Sequence, residues 1–178
     1  SLFLFLYSLT QLTLVWKYIT KRKRFKVEKE VEETFKPHVT IQLPVFNEIY
    51  VVERLIDTVC NVDYPLNKLE IQVLDDSTDE TKDVIARKVS EWQARGYDIS
   101  HIHRTNRKGF KAGALEEALD FAKGEFIAIF DSDYLPTKDF LKRAILPFKD
   151  DEKIKLLETH SEWLMINFFV IYREYIAN

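Results

Sequence analysis

One cysteine, Cys60, in 178 residues excludes an internal disulfide framework and is compatible with a reducing compartment. No single sign of charge dominates. The formal net charge is −3 and the pI about 5.9, which removes the global basicity of a nucleic-acid binder and leaves the basic residues as local features. There is no internal repeat, no low-complexity tract and no Walker-type glycine loop. The first apolar segment does not read as a cleavable secretory signal, because the charges follow it and no small-residue cleavage site comes after it. What is present is a chain that is 46% hydrophobic, enough for one α/β domain with a real core.

No charge occurs from Ser1 to Val15, Trp16 precedes Lys17, and Tyr18 and Ile19 continue the apolar character. The run is a little short of the about 20 residues that span a bilayer. Lys21-Arg22-Lys23-Arg24-Phe25-Lys26 follows at once. An apolar run, an aromatic near its end and then a basic cluster predict a single transmembrane helix over 1–19, with the downstream chain cytoplasmic. Polar Ser8, Thr10, Gln11 and Thr13 favour the opposing reading of a buried soluble helix. Residues 20–36 read as a charged juxtamembrane linker, 37–155 as the folded domain and 156–178 as a divergent or truncated tail.

From His38 onward, strand and helix patterns alternate. Val39–Leu43 reads as a strand stopped by Pro44, and 48–61 as a helix with Val52, Leu55, Ile56 and Val59 on one face and Cys60 in the core. Leu69 to Leu74 alternates as a second strand. Ser77 and Glu80 form a capping box for a helix that carries Val84, Ile85, Val89 and Trp92 and is capped by Gly96. A short strand is expected over Ile99–His103 and a helix over Lys111–Lys123, closed by Gly124. Phe126-Ile127-Ala128-Ile129-Phe130 is a buried central strand. Thr137 opens a last helix with Phe140, Leu141, Ala144 and Ile145. Repeated strand–helix units imply a mainly parallel sheet with helices on both faces and ligands at the carboxyl ends of its strands.

Four polar clusters follow the four strands and so gather on one rim. They are Phe46-Asn47-Glu48, Asp75-Asp76-Ser77, Arg104 to Lys111, and Asp131-Ser132-Asp133. Asp131 and Asp133 point to the same side if the chain stays extended, and keeping both ionised is costly unless a cation lies between them. Such oxygen ligands suit Mg2+ or Mn2+. The plainer alternative is that Asp131 ends the strand and Asp133 begins a turn before Pro136. Arg107, Lys108 and Lys111, with Gly109 and the start of a helix, suit phosphate oxygens. Asp75 or Asp76 would accept hydrogen bonds from a nucleobase or ribose, and a divalent ion would relieve repulsion between a diphosphate and the Asp131 pair.

Pro44-Val45-Phe46-Asn47-Glu48, Gln72-Val73-Leu74-Asp75-Asp76-Ser77-Thr78-Asp79, Asn106 to Leu115 and Asp131-Ser132-Asp133 together resemble the family 2 glycosyltransferases. The likeness is to the membrane-bound cellulose-synthase-like branch with its mannan and glucomannan synthases, and it runs from about His38 to Leu141. The resemblance implies a GT-A fold and inverting transfer of a hexose from a nucleotide sugar, GDP-mannose or UDP-glucose, to a polysaccharide. Transfer to a lipid carrier, or a non-catalytic membrane protein that keeps the fold, are the alternatives. It places Asn47, Glu48 and Asp75 or Asp76 at the nucleoside, Lys111 on the nucleotide side, and Asp131 with Asp133 at the diphosphate and Mg2+ or Mn2+. The apolar and basic N-terminal segment resembles the family's membrane anchor. The family's later acidic motif, which supplies the catalytic base, and its Gln-x-x-Arg-Trp motif are not found in these residues, so no catalytic base is assigned. The expectation is a chain that binds nucleotide and metal but turns over poorly by itself. A signalling receiver domain, whose acidic pocket also lies at strand ends, is set aside on order. A full strand and helix precede Asp75-Asp76, and no lysine follows Asp131 on a later strand end.

Overall fold

The computed structural model describes residues 35–132, 135–150, 156–161 and 164–172, together with Tyr7, Leu9, 11–13, Val15 and Trp16. The chain forms two compact units, Ser1–Glu30 and Val31–Asn178. In the first, the described residues are helical, and Tyr7, Leu9, Leu12, Val15 and Trp16 are exposed. Among the described residues no helix is long and apolar enough to cross a membrane. Most of the expected transmembrane helix over 1–19, and the linker over 20–34, lie outside the described residues.

The second unit is built on one sheet. Its strands are β1 (Val39–Val45), β2 (Leu69–Asp75), β3 (Asp98–His103), β4 (Phe126–Phe130), β5 (Leu156–Ser161) and β6 (Leu164–Tyr172), in the order β3-β2-β1-β4-β6-β5. The first four strands are mutually parallel, while β6 runs antiparallel to both β4 and β5. Within the segment set apart in the sequence as a tail, 156–161 and 164–172 form two strands of this sheet.

Of the parallel strands, β2 and β4 are buried throughout and β1 nearly so, while β3 at the sheet edge is only partly buried. β4, covered on both faces, accordingly reads as a continuous apolar run. Along β4, Phe126, Ala128 and Phe130 join the main core, while Ile127 and Ile129 face a second, smaller cluster. The main core lies under helices α1 (Val52–Cys60), α2 (Thr81–Gln93) and α4 (Phe140–Asp150). The opposite face is covered by α3 (Phe110–Leu119), through Ala114 and Ala118 against Leu74. Cys60 is 1% exposed within the main core, and burial, its largest cause, pushes the thiol pKa up to about 12.

Several local expectations change for identifiable reasons. β1 runs through Pro44 to Val45 instead of stopping before it. It pairs with β2 along its full length but with β4 only as far as Gln42↔Ile129. The Val45 carbonyl accepts the Asp76 N–H at 3.1 Å, so the alternation of the strand turns Pro44 toward the β4 side, where the ladder has already ended. A residue without an N–H loses nothing there. α1 begins at Val52, because the N–H groups of Val51 and Val52 both close a turn on the Glu48 carbonyl.

The expected capping box does not form. Ser77 Oγ accepts the Asn47 N–H at 2.9 Å, and the Thr81 N–H is taken by Asp79 Oδ1 at 3.0 Å. Gly96 does take the left-handed conformation after α2, at φ +88°. α3 starts at Phe110 and ends at Leu119, and tight turns from Phe121 and Ala122 replace its last expected turn. Gly124 serves close approach, since a Cβ there would sit 2.4 Å from the Thr40 nitrogen.

Candidate functional site

The order of the sheet reverses between β1 and β4, the place where parallel sheets open a crevice at their carboxyl ends. Here that crevice is physical. β1 and β4 part beyond Gln42 and Ile129, and a cavity of about 140 Å3 lies at the gap. Pro44, Val45 and Phe46 form one wall, while Asp131 and Ser132 form the other. Glu48, Asp76, Arg107 and Lys111 complete the polar lining, with Leu74 and Ala114 beneath. Of the residues predicted from the sequence, Glu48, Asp76, Lys111 and Asp131 are therefore brought together in one cleft.

Arg104 organises this rim. Its Nε reaches Asp76 Oδ1 at 2.8 Å and its Nη2 reaches Asp76 Oδ2 at 2.7 Å, a two-pronged charge-assisted pair. The same guanidinium donates to the Phe110 carbonyl at 3.0 Å and to the Lys108 carbonyl at 3.4 Å. One side chain thus ties the end of β2 to the basic loop and to the start of α3. The hydrogen bonds to Asp76, more than any other cause, raise the Arg104 pKa above its ordinary value. The sequence alone gave Arg104 no role. Its signal was an arginine one residue past β3, where the sheet register brings it beside the acidic pair.

The basic loop is shaped by two successive left-handed residues, Gly109 at φ +73° and Phe110 at φ +50°. Gly113 allows the loop to lie close on α3, since a Cβ at that position would fall 2.1 Å from the Lys108 carbonyl oxygen. Arg107 stacks on Phe46, with its guanidinium carbon 3.2 Å from the ring centroid, and lies 5.2 Å from the Phe110 centroid. Across the cleft Lys111 Nζ pairs with Asp131 Oδ1, and both side chains remain partly exposed. Lys111 thus places a positive charge beside Asp131.

Other predicted residues are placed elsewhere. Asn47 does not line the cavity. It sits at φ +53° and latches the loop, its Oδ1 accepting the Thr78 N–H at 2.8 Å and its own N–H donating to Ser77. Asp75 is also absent from the lining. Its Oδ1 accepts the Ser77 N–H at 2.8 Å, and its Oδ2 lies 2.8 Å from His101 Nε2 and 3.0 Å from His103 Nδ1. Burial pushes the Asp75 pKa upward, but hydrogen bonds from His101 and Ser77 outweigh it and hold the carboxyl at about 2. Asp133 lies outside the described residues.

For a hard divalent ion the cleft offers oxygen donors, Asp131 and Glu48 among its lining residues. Asp131 suits that task. It is partly exposed, its backbone ends a rigid central strand, and it already holds a cationic partner that an ion would replace. Asp76 is less suited, because both its oxygens are engaged by Arg104.

A mainly parallel sheet with a carboxylate- and lysine-lined cleft at its switch point defines an α/β architecture of the kind that takes ligands at the carboxyl ends of its strands. Comparison with known proteins sharpens this. The model of glycosyl transferase family 2 matches residues 40–157, and the chain belongs to that family. It is 42% identical over 135 residues to probable glucomannan 4-beta-mannosyltransferase 11 of Oryza sativa subsp. japonica, covering 74% of this chain and 23% of that protein. It is 38% identical over 154 residues to glucomannan 4-beta-mannosyltransferase 9 of Arabidopsis thaliana, covering 82% and 28% respectively. The chain therefore spans about a quarter of the length of these curated relatives. Among solved structures, a Pyrobaculum calidifontis mannosyltransferase in complex with GDP-Man and Mn2+ superposes with a TM-score of 0.78 at 26% identity, over 93% of this chain and 53% of that one. The fold is thus the GT-A arrangement of a mainly parallel sheet flanked by helices.

Proposed function

We propose that this chain is the donor-binding part of an inverting hexosyltransferase, which takes its sugar from GDP-mannose or UDP-glucose and passes it to a growing polysaccharide. The observation that carries this reading is the convergence of Glu48, Asp76, Lys111 and Asp131 on one cleft where β1 and β4 separate. The names of the plant relatives support mannosyl transfer to glucomannan, and the archaeal structure supports a nucleotide sugar together with Mn2+.

In this reading the nucleoside lies against Phe46, Glu48 and Asp76, the last held in place by Arg104. Lys111 and Arg107 meet the diphosphate from the basic loop, at the N-terminal end of α3, where unpaired N–H groups and the helix dipole favour negative charge. Asp131, with Asp133 beside it in sequence, would hold Mg2+ or Mn2+. The ion supplies charge neutralisation for the departing nucleoside diphosphate. Asn47 and Asp75 serve the site indirectly, by fixing the loop and the strand end that carry its lining residues. Membrane anchoring through 1–19 and 20–36 belongs to this proposal, with the folded unit cytoplasmic.

Calorimetry of the chain with GDP, UDP and their hexose conjugates, with and without Mn2+, tests the reading. Metal-dependent binding that disappears in Asp131→Asn is the expected result. Absence of binding, or an Asp131→Asn chain that behaves like its parent, would overturn it.

A further inference from the structure

His101 and His103 are spaced i, i+2 on β3, the outermost of the described strands on that side, so both rings leave the same face. The register sets Asp75, the last residue of β2, directly opposite His103. One ligand atom from each, Asp75 Oδ2, His101 Nε2 and His103 Nδ1, lies within 4.8 Å of the other two. None of the three residues lines the donor cleft. The Ser77 N–H occupies Asp75 Oδ1 and orients the carboxylate, leaving Oδ2 toward the two imidazoles, as a supporting hydrogen bond does in metal centres.

The geometry points to a second divalent-metal site at Asp75, His101 and His103, one that takes a borderline ion such as Zn2+. Two imidazoles and one carboxylate form a nitrogen-rich donor set that favours Zn2+, Co2+ or Ni2+ over Mg2+ and Mn2+. Zinc bonds of about 2.0–2.2 Å in tetrahedral geometry set neighbouring ligand atoms about 3.3 Å apart. The present 2.8 and 3.0 Å contacts need to open by only a few tenths of an ångström. Each ring now turns an N–H toward the carboxylate. On metal binding that proton passes through solvent to the other ring nitrogen, so a neutral imidazole offers its lone pair to the ion. His103, 35% exposed, provides the entry path and leaves the fourth position to water. The ion would join β3 to β2 one residue before Arg104 and Asp76, at the root of the donor cleft.

Zn2+ titrated into the chain against a chromophoric chelator, with Co2+ as a visible-absorbing substitute, tests the site. The expected result is one tight equivalent, weakened at least about 10-fold by His101→Gln or His103→Gln and unchanged by Asp131→Asn. The accompanying sign is a Zn2+-dependent rise in melting temperature in the parent but not in His103→Gln. This exposed strand-end variant carries the test if His101→Gln does not fold. Failure of the parent to compete for Zn2+, or an equivalent that survives both histidine substitutions, would overturn the site. So would an equivalent that Asp131→Asn removes. No nucleotide enters the measurement, so its outcome is separate from that of the donor-binding proposal.

Discussion

Arg104 and Asp76 meet as a two-pronged pair with side chains only 6% and 5% exposed, and that pair joins the end of β2 to the loop that faces it. Removing one member of a buried pair leaves the other charged and unpaired, a loss of about 3–5 kcal/mol. Arg104→Ala is therefore expected to lower the denaturant midpoint sharply. Arg104→Lys keeps the charge but cannot bridge both oxygens and two carbonyls, so it is expected to recover only part of the loss. Urea unfolding followed by circular dichroism distinguishes the two variants, and full recovery by lysine would show that charge alone matters.

Lys111 and Asp131 are both partly exposed, so their pairing is worth at most about 1 kcal/mol. Lys111→Met should have opposite effects on two ligands. Mn2+ affinity without nucleotide is expected to rise about 2–5-fold as Asp131 is released, while nucleoside diphosphate affinity falls. Parallel changes in both would place Lys111 outside the diphosphate's reach. Calorimetry with each ligand separately reads the difference.

Gly113→Ala drives a methyl group onto the Lys108 carbonyl and toward Arg104 Nη1, 3.3 Å away. Overpacking against backbone is expected to destabilise the chain by about 1–3 kcal/mol and to move the basic loop away from Arg104. A thermal melt measures the first effect, and reduced nucleotide affinity at temperatures well below the melt measures the second. Ala at Gly96, where no atom lies within 4 Å, meets no clash and suffers only from its left-handed backbone, so it is the milder comparison.

Asp75 has a folded pKa of about 2, below the ordinary 3.8. A depressed carboxylate contributes stability that is complete above its unfolded value and disappears as pH falls through the folded one. Its share is thus present above about pH 4 and lost toward pH 2. In chelator-treated buffer, acid unfolding of Asp75→Asn is expected to be flatter across that window than in the parent, starting from lower stability at neutral pH. Equal slopes would remove Asp75 from the acid branch.

Cys60 is buried, and its thiol remains protonated far above neutral pH. Labelling by a thiol reagent at pH 7 is expected to wait for opening of the main core, at a rate that rises with denaturant. Fast labelling in buffer alone would mean that α1 opens locally.

The alternating core was legible because strands buried on both faces are written as apolar runs, and β4 was read residue for residue. The clustering of polar strand ends followed from parallel topology. What could not be read was the choice between adjacent residues. Whether Asp75 or Asp76 enters the cleft depends on where β2 ends against β3, a long-range register that places His101 and His103 against one carboxylate and Arg104 against the other. The resemblance to the family put Asn47 at the nucleoside, and nothing local in the sequence shows the turn in which its side chain also accepts the Thr78 N–H. The capping box failed for a related reason: Ser77 was engaged by Asn47, a partner thirty positions away.

Pro44 sits where the crevice opens between β1 and β4. Its missing N–H faces the side on which β4 has turned away, so one ladder donor is lacking just past Gln42 and Ile129, where the pairing ends. The mouth is therefore shaped by the course of the main chain as well as by its lining side chains. An exchange of side chains around it, of the kind that would suit another base or sugar in the proposed reading, would leave that strand separation in place.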